Sequence, residues 1–280
     1  MPDNVSLIAR GTQFRDLHQR PGTFVIPNPW DAGTARILTS MGFEALATTS
    51  AGLAFALGRP DGQGAVSREE TLANAKAIVE ATHLPVAADL ENGFADSPDE
   101  VAETIRLAAG VGLVGGSIED ATGHADRPIY DLELSVDRVA AAVEAARALP
   151  FPFMLAGRAE NFLHGIPDLD DTIKRLQAYE RAGADLLYAP GLPNLEAIRA
   201  VCASVSKPVN VLLGSGGAGV TVADLAAAGA KRISLGSLLS RAALGGVTAA
   251  AKEVLEHGSI GFARAALPYG EAQKLMGGEG

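Results

Sequence analysis

The stretch VAADLENGFADSPDEVAETIRLAAGVGLVGGSIED, residues 86–120, contains a strand, a helix and a second strand in succession. Its first apolar run is followed by Ser97-Pro98-Asp99-Glu100, a spacing in which the serine and the glutamate cap the start of a helix. That helix is expected to stop at Ala109-Gly110, because glycine readily adopts the left-handed conformation that ends a helix. A second apolar run follows at once. Continuous apolar runs are typical of parallel strands buried on both faces, so this stretch predicts a βαβ unit.

The same unit recurs along the chain. Further helix ends followed by strands are predicted at Met41-Gly42, Ala182-Gly183 and Ala228-Gly229, and further helix starts at Ser67 and Thr221. Eight apolar runs are predicted as strands: 24–28, 45–49, 86–90, 113–119, 152–158, 186–190, 209–213 and 232–236. Eight strands alternating with helices form either a closed barrel or an open doubly wound sheet.

No linker or change of composition divides the chain. Its length fits one barrel of about 250 residues, so the sequence favours the α/β class and a single (β/α)8 TIM barrel formed by residues 1–280. Residues from about 245 to 280 are predicted to form one or two helices beyond those that the barrel needs. We expect these helices to serve an oligomer contact.

The composition excludes several partners. The chain carries 23 Lys and Arg against 33 Asp and Glu, a formal net charge of −10, which repels nucleic acid and anionic membrane surfaces. No apolar run approaches the roughly 20 residues that span a bilayer. The single cysteine, Cys202, allows neither an intramolecular disulfide nor a cysteine-ligated metal site. We therefore expect a cytoplasmic protein with no nucleic-acid or membrane partner.

Acidic residues follow the predicted strands at their carboxyl ends, where a barrel builds its active site. Asp89 and Glu91 follow the third strand, and Glu119 ends the fourth. Three carboxylates without a cluster of histidines or cysteines suit Mg²⁺ or Mn²⁺ better than Zn²⁺. Acidic residues after strands can also be helix caps or solvated loop groups, an alternative that the pattern leaves open.

Arg158 ends the fifth predicted strand, so its guanidinium is expected at the barrel mouth. A guanidinium can bind a carboxylate or a developing oxyanion through two parallel hydrogen bonds. The alternative is an ion pair with Glu91 or Glu160.

Other candidates lie in the loops of the same end. Thr49 and Ser50, in the turn after the second strand, offer hydroxyl and backbone N–H groups to an oxyanion. Trp30 follows the first strand and is a candidate substrate contact. His124, just after Glu119, is the imidazole best placed for acid or base catalysis, with a solvated loop histidine as the alternative.

The glycine-rich segment 214–219, GSGGAG, matches the dinucleotide-binding pattern G-x-G-x-x-G. It lies near the seventh strand rather than in a first βαβ unit, and no acidic residue follows about 20 positions later to hold a ribose. The pattern therefore favours a flexible turn, with a phosphate-binding loop as the alternative.

The segments NPWDAGTARILTSMGFEALATTSAGLAFALGRPDG, VAADLENGFAD, GGSIEDATG, LAGRAENF and KPVNVLL resemble successive blocks of the isocitrate lyase/phosphoenolpyruvate mutase superfamily. The resemblance runs from about residue 24 to about residue 242. It implies a barrel whose eighth helix is exchanged between neighbouring subunits of a homo-oligomer, a tetramer or a dimer. It also implies Mg²⁺ (or Mn²⁺) and the enolate of a small 2-oxo acid.

The resemblance also implies roles for particular residues. The family's metal motif corresponds to Asp89, Glu91 and Gly93, and the acid of its next block corresponds to Glu119. By this resemblance Asp89 contacts Mg²⁺ directly, while Glu91 and Glu119 act largely through its water molecules. The implied substrate-binding residues are Thr49, Ser50, Ala51, Asp61, Arg158 and Asn210.

The sequence departs from the family after Glu119. Family lyases that cleave isocitrate or methylisocitrate carry Lys-Lys-Cys-Gly-His in this loop, whereas residues 121–127 are ATGHADR. The usual proton donor to the enolate is therefore absent, and the resemblance does not extend to cleavage of either tricarboxylate. The Lys and Asn of the family's mutases are missing from the same loop.

Three functions remain compatible with the sequence. The first is a carbon–carbon lyase or decarboxylase, in which a metal ion and Arg158 stabilise an enolate and His124 or a water molecule supplies its proton. The second is carbon–phosphorus chemistry, as a phosphonomutase or phosphonopyruvate hydrolase. The third is a barrel that binds 2-oxo acids with little turnover.

Overall fold

The computed structural model describes residues 4–277 and contains one eight-stranded parallel sheet, one two-stranded hairpin and a series of helices. The strands are β1 Phe24–Ile26, β2 Leu46–Ala47, β3 Val86–Asp89, β4 Gly115–Glu119, β5 Ala121–His124, β6 Arg127–Ile129, β7 Met154–Arg158, β8 Leu186–Tyr188, β9 Val209–Gly216 and β10 Arg232–Ser234. The helices are α1 Asn4–Gln19, α2 Ala32–Ser40, α3 Ser50–Ala56, α4 Arg68–Glu80, α5 Pro98–Gly110, α6 Leu132–Arg147, α7 Leu169–Arg181, α8 Leu195–Ser204, α9 Val222–Ala227, α10 Leu238–His257, the 3₁₀ helix Gly261–Arg264 and α11 Tyr269–Met276.

The large sheet closes on itself. Its strands pair in parallel in the order β1-β10-β9-β8-β7-β4-β3-β2. The two ends of this order meet where the amide of Ala47 donates to the carbonyl of Pro27 at 3.1 Å. The prediction of a (β/α)8 barrel is thereby confirmed, and the open doubly wound sheet is excluded.

All eight predicted apolar runs contain a barrel strand, but most strands are shorter than the runs. Most of them end early at the carboxyl side, where the chain leaves the barrel for loops that carry polar side chains, whereas β4 and β7 begin two residues later than predicted. The exception is β9, which continues beyond the predicted end at residue 213 as far as Gly216. Two elements that directly follow barrel strands were not predicted. They are helix α3, directly after β2, and the antiparallel hairpin β5–β6, directly after β4.

The predicted helix ends are confirmed at three of four glycines. Gly42, Gly183 and Gly229 have φ values of +87°, +99° and +104°. The prediction for Gly110 was wrong, because Gly110 is the last residue of α5 and Gly112 adopts the left-handed conformation, at φ +96°. The sequence VGLVGG offers a glycine two positions later, and the helix continues until that glycine can turn the chain.

Helix α1 packs against the amino-terminal ends of the strands. Phe14 of α1 is fully buried, and its ring lies against Gly115 at the start of β4. A Cβ on Gly115 would lie 2.8 Å from a ring carbon of Phe14, so the close approach depends on this glycine. Because α1 occupies this end of the barrel, the functional site must open at the other end.

Helix α10 is largely exposed. Ser240 is its one buried residue, whereas Leu244, Val247 and Leu255 are 46%, 68% and 85% exposed. The following helix α11 packs against α2. Within residues 4–277 no helix is both long and apolar enough to cross a membrane.

Candidate active site

Three charged side chains meet at the carboxyl ends of neighbouring strands. Asp89 ends β3, Glu119 ends β4 and Arg158 ends β7. Glu119 and Arg158 are direct partners in the strand register, and Asp89 is the partner of Ser117 in β4. Parallel pairing therefore brings together residues that lie up to 69 positions apart in sequence.

Arg158 is the centre of this group. Its Nη1 atom lies 3.1 Å from Oε2 of Glu119 and 3.4 Å from Oδ1 of Asp89. Its Nε donates to Glu160, which is almost fully buried. Burial opposes the charge of Arg158, but Glu119, Glu160 and Asp89 hold its pKa well above the usual value. Arg158 is therefore a permanent cation. Its ion pair with Glu160 exists together with its contacts to Glu119 and Asp89, so this pair does not remove Arg158 from the site.

Asp89 is oriented by its neighbours. The hydroxyl of Ser50 donates to Oδ2 at 3.0 Å, and the amide of Glu91 donates to Oδ1 at 3.2 Å. The amide of Asp89 itself donates to the hydroxyl of Thr48. Glu91 has a φ of +48°, a left-handed conformation that side chains rarely adopt. The backbone after β3 is thus bent so that Glu91 returns towards the barrel mouth.

The acids of the mouth carry raised pKa values. Burial, followed by repulsion from Asp89 and Asp61, raises the pKa of Glu91 to about 7. Burial also raises the pKa of Glu119, against the attraction of Arg158. Desolvation and then repulsion from Asp89 raise the pKa of Asp61. One guanidinium does not balance these carboxylates, so the mouth would be stabilised by a further cation.

The donor set fits Mg²⁺ only in part. Among residues 4–277, no three His, Cys, Asp or Glu side chains converge closely enough to ligate one ion directly. The guanidinium of Arg158 lies between Asp89 and Glu119 and keeps their oxygens apart. Mg²⁺ commonly uses one or two carboxylates and keeps several water molecules. The oxygen-only donors therefore fit an ion that touches Asp89 and meets the other acids through water.

Buried Asp120 supports Arg158 indirectly, through contacts that the sequence did not predict. The carboxylate of Asp120, 2% exposed, accepts from the amide of Glu160 at 2.8 Å and from the hydroxyl of Tyr179 at 2.6 Å. Arg175 of α7 donates to the same carboxylate at 3.1 Å. Asp120 thus fixes Glu160, which in turn holds Arg158. The sequence placed Asp120 after a strand but contained no signal for its long-range partners.

Two cavities adjoin the acids. An inner cavity of about 60 Å³ runs into the barrel and is lined in part by Thr49, Asp89, Arg158 and Asn210. An outer cavity of about 620 Å³ is lined in part by Glu91, Glu119 and His124. The candidate residues therefore line two spaces, a small polar cavity inside the barrel and a wide opening at its mouth.

The remaining candidates take different places. Ser50 and Ala51 begin α3, where first-turn N–H groups have no partner within the helix. His124 lies in the exposed hairpin strand β5 and faces the outer cavity. Trp30 lines neither cavity, and its backbone carbonyl accepts from Asn74 at 2.8 Å.

Asn210 is buried in β9 and held at both ends of its amide. Its Nδ2 donates to Ser234 at 3.0 Å, and its Oδ1 accepts from Nε of Arg232 at 2.8 Å. Sequence reasoning missed Tyr188, Arg232 and Ser234, which line the same inner cavity. Their alternation within apolar runs was the available signal, since inward-facing residues of a barrel strand recur at every second position.

A parallel eight-stranded barrel with acids and an arginine at the carboxyl ends of β3, β4 and β7 defines a class, the (β/α)8 enzymes that act on small molecules at the barrel mouth. Residues 14–255 match the family model described as phosphoenolpyruvate phosphomutase. The chain belongs to this family, within the isocitrate lyase/phosphoenolpyruvate mutase superfamily, and the expected family is confirmed.

Individual relatives agree with this membership. A crystal structure from Burkholderia cenocepacia, named provisionally as a lyase/mutase, is 56% identical with a TM-score of 0.94 and covers 97% of this chain and 96% of its own. An uncharacterised protein of Mycobacterium tuberculosis is 31% identical over 94% of this chain and 95% of its own length. The 2-methylisocitrate lyase of Escherichia coli is 29% identical over 73% of this chain and 70% of its own length. The expectation of an enzyme of the lyase class is confirmed.

Proposed function

We propose that this chain is a Mg²⁺-dependent lyase that breaks a carbon–carbon bond of a small 2-oxo acid, or decarboxylates it, through an enolate. The observation that carries the proposal is Arg158, whose guanidinium lies between Asp89 and Glu119 at the strand ends. Membership of a family of lyases and mutases supports it. Mn²⁺ would serve the same oxygen donors.

In this proposal Asp89 would touch the metal ion, and Glu91 and Glu119 would hold its water molecules. When bound, the ion would polarise the 2-oxo group and favour negative charge on its oxygen. Its positive charge would also lower the raised pKa values of Glu91 and Glu119 and keep both as carboxylates.

The chain's own residues bind and orient the acid. The first-turn amides of Ser50 and Ala51, with the hydroxyl of Thr49, receive one carboxylate. Arg158 donates to the oxygen on which charge develops as the bond to C3 breaks. The electron pair of that bond passes into the enolate, and the other fragment leaves as carbon dioxide, or as an aldehyde or ketone whose hydroxyl proton passes to a base. A proton must then be returned to C3.

The proton donor is proposed in the outer cavity. His124 faces this space beside Glu119, so an imidazolium or a water molecule that it orients can reach a substrate bound at the mouth. Asn210, in the inner cavity, and Asp61, close to Asp89 and Ser50, are proposed as further substrate contacts, whereas Trp30 lines neither cavity and stays a prediction. Residues 121–127 lack the loop sequence of lyases for isocitrate and methylisocitrate, so we propose a smaller substrate than the one named for the E. coli relative.

A second candidate is carbon–phosphorus chemistry. The matching family model bears the description of a phosphomutase. The same acids and Arg158 would stabilise the enolate left when a carbon–phosphorus bond breaks. Release of inorganic phosphate from phosphonopyruvate, with no product from carbon-only 2-oxo acids, would replace the lyase proposal by this one.

Oxalate tests the proposed site, because it is a planar dianion shaped like the enolate of pyruvate. By calorimetry we expect wild type to bind oxalate with Mg²⁺ or Mn²⁺ and to lose this binding in EDTA, while acetate binds far more weakly. Asp89→Asn should abolish metal-dependent binding. The matched control is Asp126→Asn, since Asp126 is exposed in the turn between β5 and β6.

Two results would contradict the proposal. Oxalate binding that is unchanged in a demonstrably metal-free preparation would show that the site needs no metal ion. Equal binding of oxalate and acetate would show that the site does not recognise a chelating, enolate-like dianion. Tight oxalate binding without turnover of any acid in a broad panel would instead favour a binding protein.

A further inference from the structure

Arg232 is a buried cation without an acidic partner. It begins β10, is 8% exposed and donates from Nε to Asn210 at 2.8 Å. Within residues 4–277 no carboxylate lies within ion-pair distance of it, and neither of its Nη atoms donates to a protein group. Burial lowers its pKa to about 10, so the guanidinium is still charged at neutral pH.

The other shielded arginines each donate from at least one Nη atom to a protein group. Arg158 has its acids, and Arg175 donates to Asp120 and Asp171. Arg138, also buried, donates from both Nη atoms to backbone carbonyls of the loop after Glu91, although its Nε has no partner among the described residues. An unpaired buried charge is strongly destabilising. The missing partner of Arg232 therefore needs an explanation, whereas the other three arginines have partners within the protein.

Arg232 lines the same inner cavity as Asp89 and Arg158. Around it the cavity wall is uncharged, formed by Asn210, Ser234 and the hydroxyl end of Tyr188. Burial raises the pKa of Tyr188 to about 12, so this phenol keeps its proton as a hydrogen-bond donor. The cavity therefore has one end at Asp89, where the proposed metal ion would bind, and one end with donors and an unpaired cation.

We infer that Arg232 binds a second anionic group of the substrate, which makes the substrate a 2-oxo dicarboxylate rather than a 2-oxo monocarboxylate. This inference rests on the proposed function, which places the 2-oxo end beside Asp89 and Arg158. The acids of the mouth would repel a second carboxylate, and Arg232 is the cavity's other cation. A cavity of about 60 Å³ has room for a carboxylate but not for a ring or a sugar phosphate.

The test uses oxalate as a reporter and two matched pairs of competitors. Oxaloacetate is compared with 2-oxobutyrate, and 2-oxoglutarate with 2-oxovalerate, because each pair differs only in a terminal carboxylate or methyl group. Displacement of oxalate is measured with Mg²⁺ in wild type, Arg232→Met, Arg232→Lys and the control Arg241→Met. Arg241 is an exposed arginine of α10.

In wild type and Arg241→Met we expect the dicarboxylate of at least one pair to displace oxalate at tenfold lower concentration or less. Arg232→Met should erase this preference while the Kd of oxalate changes less than threefold. Arg232→Lys keeps the charge but not the two-pronged donor, so it should reduce the preference with the same oxalate Kd. If Arg232→Met does not fold, Arg232→Lys decides alone.

The inference is overturned if wild type distinguishes neither pair, or if the preference survives in Arg232→Lys and in folded Arg232→Met. It is also overturned if these substitutions weaken oxalate as much as the dicarboxylates, because Arg232 would then only position Asn210. Failure of the proposed function looks different, since wild type would then not bind oxalate in a metal-dependent way.

Discussion

At the scale of single residues, Arg158 makes contacts that a lysine cannot reproduce. Its Nε and Nη1 atoms reach Glu160, Glu119 and Asp89 at once, whereas an ammonium is a single point of charge. Arg158→Lys should therefore lower kcat by about 10²–10³-fold at saturating Mg²⁺, the usual cost of losing a donor to developing charge. Steady-state kinetics beside thermal unfolding would measure both effects.

The control for this substitution is Arg147→Lys. Arg147 also pairs with an acid through two nitrogens, at 2.6 and 3.1 Å from Asp185, but outside the cavity of the mouth. We expect it to leave kcat unchanged. Near-native kcat for Arg158→Lys, with a lower thermal midpoint or weaker metal binding, would make Arg158 a structural partner of its acids.

Glu91 gives the metal-free protein a defined pH dependence. Its folded-state pKa of about 7 lies above its ordinary value of 4.5, so between these values the folded state binds more protons than the unfolded state. The contribution of Glu91 to stability is therefore present below about pH 4.5 and is lost as pH rises through 7. Buried His18, whose pKa is lowered to about 3 by burial and Arg232, acts in the opposite direction.

Because of this opposing residue, Glu91→Gln is the reference. In EDTA, wild type should lose stability relative to Glu91→Gln as pH rises from about 5 to about 8, and saturating Mg²⁺ should remove the loss. Chemical denaturation at several pH values measures the difference. A constant difference across this range would show that Glu91 titrates normally.

At the scale of elements, the end of α5 separates two glycines with opposite roles. Gly110 is helical with open space around it, and Gly112 has a φ of +96°. Gly110→Ala should stabilise the protein by up to about 1 kcal/mol, because alanine favours helix. Gly112→Ala should destabilise it by about 1–2 kcal/mol, because a Cβ is strained in the left-handed conformation. Urea unfolding of both variants tests the pair, and equal effects would contradict the observed helix end.

This helix end also illustrates what sequence patterns can establish. Capping residues and apolar runs act locally, so the Ser67 and Thr221 helix starts and all eight strands were predictable. The choice between Gly110 and Gly112 depends on how far the helix must run before the next strand meets its neighbour. That length is set by packing, which no local pattern contains.

The residues of the site also differ in whether the sequence could predict them. Asp89, Glu119 and Arg158 were predictable because parallel strand ends lie side by side. The contacts of Asp120 and the pairing of Arg232 with Asn210 could not be predicted, since their partners lie on other elements, 22 to 59 positions away. Long-range partners of buried charges follow from the closed barrel rather than from spacing along the chain.

At the scale of the whole molecule, α10 is an apolar helix with little of its own barrel against it. Leu244, Val247 and Leu255 recur at helical spacing and are all exposed. Exposed apolar surface of this kind marks an interaction site. The family resemblance implies exchange of the eighth helix between subunits, and we expect wild type to be a dimer or a tetramer at micromolar concentration.

Light scattering coupled to size-exclusion chromatography would test this expectation. The double substitution Leu244→Asp and Val247→Asp should shift the protein to a smaller or aggregating species. Ala249→Asp, on another side of the same exposed helix, should have less effect. A wild-type protein that remains monomeric over this range would show that α10 serves another purpose.

The closure of the barrel has a consequence for how the mouth can move. One backbone hydrogen bond, from Ala47 to Pro27, joins β2 to β1 within residues 4–277, whereas β4 and β7 pair over five residues. In a closed barrel, we expect the pair of strands with the fewest hydrogen bonds between them to separate most easily. The segment with Thr49 and Ser50 lies at that link, and Asp89, Glu119 and Arg158 lie on strands that are paired on both sides. We therefore expect the wall with Thr49 and Ser50 to shift more readily than the wall with Asp89, Glu119 and Arg158 when an acid binds, and the hydroxyl of Ser50 would pass such a shift on to Asp89.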